Sequence, residues 1–158
     1  MSKKYNLYLG KAGQLATMSF FLMRGWNVAT PEVDVGDDLF VVEDKKGLFY
    51  RVQVKTAQSV ERKNGYSVQF NVGLTQLKAD IDPDIYYVFV ICRHQEWSDK
   101  MIMLRSDLFD LYNGHKFGSV SGDSLILYIT FQDGKIFCSG KDLTFYRNNF
   151  EGFPAIVH

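Results

Sequence analysis

The sequence is short of residues that would cross-link it, segment it or charge it strongly. It has only three prolines, Pro31, Pro83 and Pro154, each at an apparent element boundary, and no Pro-, Gly- or Ser-rich linker, repeat or low-complexity tract. A single domain spanning residues 1–158 with one core is expected. Two cysteines, Cys92 and Cys138, cannot make a disulfide framework. Both fall in strand-like apolar segments, so buried free thiols are expected, and a reducing cytoplasm is the simplest location. The longest apolar run, Ile85 to Cys92, falls far short of the roughly 20 residues a bilayer requires, so no membrane span is expected. Met1-Ser2-Lys3-Lys4-Tyr5 is followed by no apolar h-region, which argues against a secretory signal. His94, His115 and His158 lack metal-ligand spacing, which argues against a zinc site or a histidine-based nuclease. Neither a phosphate-cradling G-x-x-x-x-G-K-[ST] motif nor a serine nucleophile elbow occurs.

Net charge is also missing. Eighteen basic residues balance eighteen acidic ones, which weighs against a dedicated nonspecific DNA binder. The balance is uneven along the chain: residues 1–65 carry +3 and the remainder −3, enough for a small basic face on the N-terminal half. What the chain has in quantity is hydrophobic and aromatic side chains, at 46% and 15%, ample for a packed core.

Leu15, Met18, Phe21 and Leu22 recur at helical spacing and predict a first helix that ends at Arg24-Gly25. Trp26–Ala29 reads as a short strand, followed by the acidic loop Glu32–Asp37. Asp38–Val42 and Leu48–Thr56 read as a hairpin around Asp44-Lys45-Lys46-Gly47. Further strands are expected at Tyr66–Val72, Ile85–Ile91 and Met101–Leu104. A short helix is expected near Leu74-Thr75-Gln76, and another begins at Ser106 as its N-cap. Leu125–Phe131 and Lys135–Cys138 pair around Asp133-Gly134. Beyond Lys141 the pattern gives no assignment. The order predicts a mixed α/β or α+β domain.

The hairpin carries the chemistry. Metal-assisted phosphodiester hydrolysis needs hard oxygen ligands and a nearby cation. Residues i and i+2 of a strand share a face, so Gln53 and Lys55 point the same way while Val52 and Val54 enter the core. Asp38 stands where the hairpin would bring it alongside that pair, and the Val54 carbonyl is a further candidate ligand. Asp38 alone is an ordinary strand-start residue, and Gln53 and Lys55 alone an ordinary solvated strand face. Their combination with the helix and the Gly25-Trp26 junction gives the pattern its weight.

Gly36-Asp37-Asp38-Leu39-Phe40-Val41 followed by Tyr50-Arg51-Val52-Gln53-Val54-Lys55-Thr56 resembles the active-site hairpin of the PD-(D/E)XK nuclease superfamily. More narrowly, it resembles the Q-x-K branch, which includes relatives of an intron-encoded homing endonuclease. Gly13-Gln14-Leu15-Ala16, Arg24–Val28 and the core strand Asp84–Val90 agree, so the resemblance spans roughly residues 8–92. It implies a restriction-endonuclease-like core, a central mixed β-sheet flanked by helices, acting on DNA with Mg²⁺ or Mn²⁺. By position, Asp38 and Gln53 become metal ligands, Lys55 the residue that orients water and stabilises charge, and Gln14 the occupant of the family's helix glutamate position. Asp34 is a candidate supporting carboxylate, and Asp37 should face away from Asp38. Arg51, Arg62 and Lys63 are candidate DNA contacts, although surface cations and charged turns more often stay hydrated. Thr56 is either a substrate-positioning residue or a plain strand residue, and Trp97 a core or edge aromatic. With glutamine at both 14 and 53, a catalytically impaired nuclease fold that binds DNA or a protein is the alternative. A homodimer is expected for cutting two strands, with the C-terminal half as candidate interface.

Overall fold

The computed structural model describes residues 2–114 and 116–158. Helix α1 (Lys3–Met23) is capped by Ser2, whose hydroxyl accepts from the Tyr5 amide at 3.2 Å. Its buried ridge is Leu9, Gly13, Thr17 and Phe21, spaced at i+4. Leu15 and Leu22, expected on the core face, are more than half exposed. The reason is close approach: a Cβ on Gly13 would lie 1.9 Å from the Thr56 hydroxyl, so only glycine fits where α1 crosses the sheet. Phe21 and Met18 face the core as expected, but the Gly13–Thr17 middle of the ridge carries no hydrophobic signal, whereas Leu15 and Leu22 carry a strong one on the wrong side. The end of the helix is as expected, with Gly25 at φ 85° after Arg24.

Strands β1 (Asn27–Ala29), β2 (Leu39–Glu43) and β3 (Leu48–Gln58) follow, then β4 (Val60–Arg62), β5 (Gly65–Gly73) and the short helix α2 (Leu74–Lys78). Strands β6 (Ile85–Arg93) and β7 (Glu96–Leu104) lead into α3 (Arg105–Gly114). Strands β8 (Ser119–Ser121), β9 (Ser124–Gln132), β10 (Lys135–Cys138) and β11 (Lys141–Asp142) come next, then a 3₁₀ turn at Thr144–Tyr146. The first sheet has the order β1-β2-β3-β6-β7, mixed because β3 and β6 run parallel while its other pairs are antiparallel. The second has the order β11-β10-β9-β5-β4, with β8 also on β9.

The first sheet is buried on both faces, which explains why β6 reads as a continuous apolar run. Val52, Val54, Val88 and Val90 pack under α1 with Phe21 and Trp26. Tyr87, Phe89 and Ile91 face the second sheet, meeting Val68, Phe70 and Leu127, with Leu77 and Leu108 of α2 and α3 closing the side. The mixed α+β class and the mixed central sheet flanked by helices are as expected; the second sheet is an addition. The segment after Lys141 returns to the first core. Phe153 is fully buried against Phe21, Trp26 and Tyr86, and the Trp26 indole donates to the Pro154 carbonyl at 2.9 Å. Cys92 and Cys138 are free and buried. Among the described residues no helix is long and apolar enough to cross a membrane.

Candidate functional site

Strand β2 pairs with β3 from Leu39↔Val52 to Glu43↔Leu48, and one further bond runs from the Asp38 amide to the Val52 carbonyl at 2.9 Å. Past that point β3 has no main-chain partner on the β2 side. The Asp38 carboxylate takes that place: its Oδ2 accepts from the Val54 amide at 2.7 Å and from the Gln53 Nε2 at 2.5 Å. Its Oδ1 has no protein donor among the described residues.

Gln53 is held in turn by a side chain that carried no signal in the sequence. Gln76 of α2 donates to the Gly36 carbonyl at 2.6 Å and lies 3.4 Å from the Gln53 Oε1, while the Tyr87 hydroxyl donates to the Gln76 Oε1 at 2.9 Å. On the helix side, Gln14 Nε2 donates to the Asp38 carbonyl at 3.0 Å, and its Oε1 accepts from Lys11 at 3.0 Å. A glutamate at position 14 could not make that bond to a carbonyl; the amide ties α1 to the start of β2.

Two charges here are poorly compensated. Burial pushes the Asp38 carboxyl above its ordinary range; the Val54 amide and the charge of Lys55 oppose this, while Asp34 and Asp37 add to it. Burial lowers the Lys55 ammonium, with Asp38 opposing. Lys55 makes no ion pair within 4 Å among the described residues. A cleft of about 340 Å³ opens on Asp38, Gln53 and Val54, walled by Gly10, Lys11 and Gln14 of α1.

The structure therefore gathers Asp38, Gln53, Val54 and Gln14 around one cleft, with Lys55 beside them on the Gln53 face of β3. Asp34 makes its own turn, accepting from the Gly36 amide at 3.0 Å, and reaches Asp38 only through its field. Asp37 is buried and accepts two bonds from Arg51, each 2.9 Å long, which ties up the cation expected to face DNA. Arg62 and Lys63 stand at the end of the β4–β5 hairpin. Thr56 lies under Gly13 with its buried hydroxyl unpartnered, on the sheet face opposite Lys55, so it does not line this site. Trp97 is partly exposed on β7. His94 contacts Glu61 and His158 the Gly25 carbonyl, while His115 lies outside the described residues. Among the described residues no cluster of three or more His, Cys, Asp or Glu side chains could hold a metal. Any ion here would depend on one carboxylate supplemented by amide and carbonyl oxygens.

The structure of a bacterial homing endonuclease, I-Ssp6803I, is similar to this chain with a TM-score of 0.56 and 22% identity, covering 95% of this chain and 89% of that one. The likeness is one of fold. It extends across nearly the whole chain, the second sheet included, and supports the nuclease-like architecture that the hairpin implied for its first part. No protein-family model and no curated protein sequence matches the chain.

Proposed function

We propose that the chain is a divalent-metal-dependent DNA endonuclease of the PD-(D/E)XK type, with a Q-x-K centre formed by Asp38, Gln53 and Lys55. The observation that carries this reading is the meeting of Asp38 and Gln53 at the unpaired edge of β3, with the half-buried Lys55 two residues further along the same face. The fold shared with a homing endonuclease supports it.

The donor set fits Mg²⁺ or Mn²⁺, which take oxygen ligands and often rely on one or two carboxylates completed by water and phosphate. Asp38, the Gln53 Oε1 and the Val54 carbonyl would hold the ion. In this structure the Gln53 Nε2 faces Asp38 and its Oε1 faces the Gln76 Nε2, so the Gln53 amide would turn over to present its oxygen to the ion. An ion held there would supply Lewis-acid activation of the phosphodiester and of a water molecule. The protein supplies the rest. Lys55 presents a cation to a phosphoryl oxygen and orients the attacking water. Gln14 fixes the Asp38 main chain, and Gln76 stands beside the Gln53 amide. Asp34 adds negative potential. DNA is the substrate, and a homodimer places one centre on each strand of a duplex. The buried free thiols suit a reducing cytoplasm.

Plasmid DNA incubated with Mg²⁺ or Mn²⁺ tests the reading. Wild type is expected to nick or linearise it and Lys55→Ala is not; equal cleavage by both would remove the site assignment. The single carboxylate favours a second reading, a nuclease fold that binds DNA or a protein without cutting. Calorimetric titration with Mn²⁺ separates the two, since that reading requires intact DNA binding with no heat of metal binding.

A further inference from the structure

Lys55, beside the first cleft, lines a second and larger one of about 460 Å³ that Asp38 does not reach. This cleft lies between two strand edges that each lack a second ladder partner. Strand β2 leaves Lys55–Gln58 of β3 unpaired on one side, and β4, which covers only Gly65–Ser67, leaves Val68–Asn71 of β5 unpaired. Unpaired edges present main-chain donors and acceptors and are usually blocked; here they form the walls of a groove.

Arg62 stands at the same cleft in an unusual environment. Arg51, Arg93, Arg105 and Arg147 each pair with a carboxylate, and Arg24 is held by the Phe153 carbonyl and the Phe150 ring. Arg62 is instead positioned by neutral hydroxyls. Its Nε donates to the Ser67 Oγ at 2.8 Å, its Nη2 donates to the Tyr128 hydroxyl, and Ser67 and Tyr128 lie 3.0 Å apart. Its geometry is fixed while its charge is left unneutralised, which suits an anion such as a phosphate. Beside it, Gln69 sits opposite Tyr128 and Asn71 opposite Ile126 on the outward face, joined to each other only by a 3.4 Å contact. The outward positions of β4, β5 and β9 carry no acidic side chain, although the chain as a whole has as many acids as bases. Glutamine and asparagine side chains are suited to the donor–acceptor edge of adenine, and a pair of antiparallel strands fits a major groove.

We propose that this cleft is the track for a DNA strand running from the Asp38–Gln53–Lys55 centre, with Arg62 on a backbone phosphate and Gln69 and Asn71 on base edges. The inference rests on the endonuclease reading and names how its substrate is held.

The test is fluorescence anisotropy with a labelled random-sequence duplex pool in the absence of divalent metal, so that binding is read independently of cleavage. Arg62→Ala is expected to weaken binding about tenfold for all sequences and to reduce the salt slope by about 1. Tyr128→Phe, which keeps the ring but frees the guanidinium, should move both in the same direction by less. Gln69→Ala with Asn71→Ala should leave the salt slope unchanged but alter which sequences are retained from the pool. Lys45→Ala, in the turn at the opposite end of the β2–β3 hairpin, is the control and should change affinity less than Arg62→Ala. Unchanged affinity and slope in Arg62→Ala, with Lys55-dependent cleavage intact, would overturn the track and leave the endonuclease reading standing. No binding by wild type even at low salt would overturn both.

Discussion

Two aspartates each stand immediately before a strand, Asp38 before β2 and Asp84 before β6, and the protein treats them in opposite ways. Asp84 is fully partnered: Oδ1 accepts from Arg105 Nε at 2.7 Å and from the Ile85 amide at 2.9 Å, and Oδ2 from the Ser106 amide at 3.0 Å. Burial alone would raise its pKa; the hydrogen bonds from Ser106, Ile85 and Arg105 outweigh that and hold it below the usual carboxylate range. Arg105 also donates to the Leu77 carbonyl at 2.8 Å, so this pair locks α2, α3 and β6 together. Asp38 is half-buried as well, but it is pushed up, leaves one oxygen without a donor, and stands near a lysine that it does not bind directly. A carboxylate that is satisfied builds the fold. One that is desolvated and only half satisfied is arranged to receive something, and clustering of such groups in a cleft marks a functional site.

The largest expected effect breaks the structural side of this contrast. Asp84→Ala strands the buried Arg105 and should cost about 3–5 kcal/mol in urea unfolding. On the functional side, Lys55→Ala should lower metal-dependent cleavage about 10²–10³-fold. Its Tm should equal or exceed that of wild type, because a desolvated charge is removed. A joint loss of activity and stability would make Lys55 a structural residue like Asp84. Gln14→Glu sharpens the comparison further. It loses the bond to the Asp38 carbonyl and should destabilise by about 1 kcal/mol, yet it adds a carboxylate and should tighten Mn²⁺ binding in calorimetry. The smallest effect is on pH dependence. Asp84, with its pKa lowered on folding, contributes stability that is fully present above the ordinary carboxylate range and is lost as pH falls through its depressed value. Asp84→Asn should therefore flatten the acid limb of a thermal-melt series.

The hairpin was legible because β3 alternates strictly, and Val52 and Val54 announce the buried side of a strand whose other side carries Gln53 and Lys55. The Arg24-Gly25 helix end and the Asp133-Gly134 turn were legible because local backbone chemistry dictates them. Other features depend on distant partners and carry no local signal. The buried face of α1 is set by the contact between Gly13 and Thr56, across 43 residues of chain; Phe21 and Met18 mark it, while Leu15 and Leu22 point away from it. The start of α3 was expected at a Ser106 cap; the helix begins at Arg105, and the Ser106 amide is satisfied by Asp84 from another element. Gln76 completes the site from a five-residue helix that looked unremarkable. Asp37, expected to face away, is occupied by Arg51, a pairing that neither residue announces alone.

The contrast between the two aspartates is tested most directly by Mn²⁺-dependent thermal stabilisation of wild type, Asp38→Asn and Asp84→Asn. A ligand bound only by the folded state raises Tm with concentration. The account predicts a concentration-dependent rise for wild type and for Asp84→Asn, the latter from a lower baseline, and none for Asp38→Asn. An equal rise in Asp38→Asn would contradict it, because the cation would then bind elsewhere and Asp38 would be one more aspartate at the start of a strand.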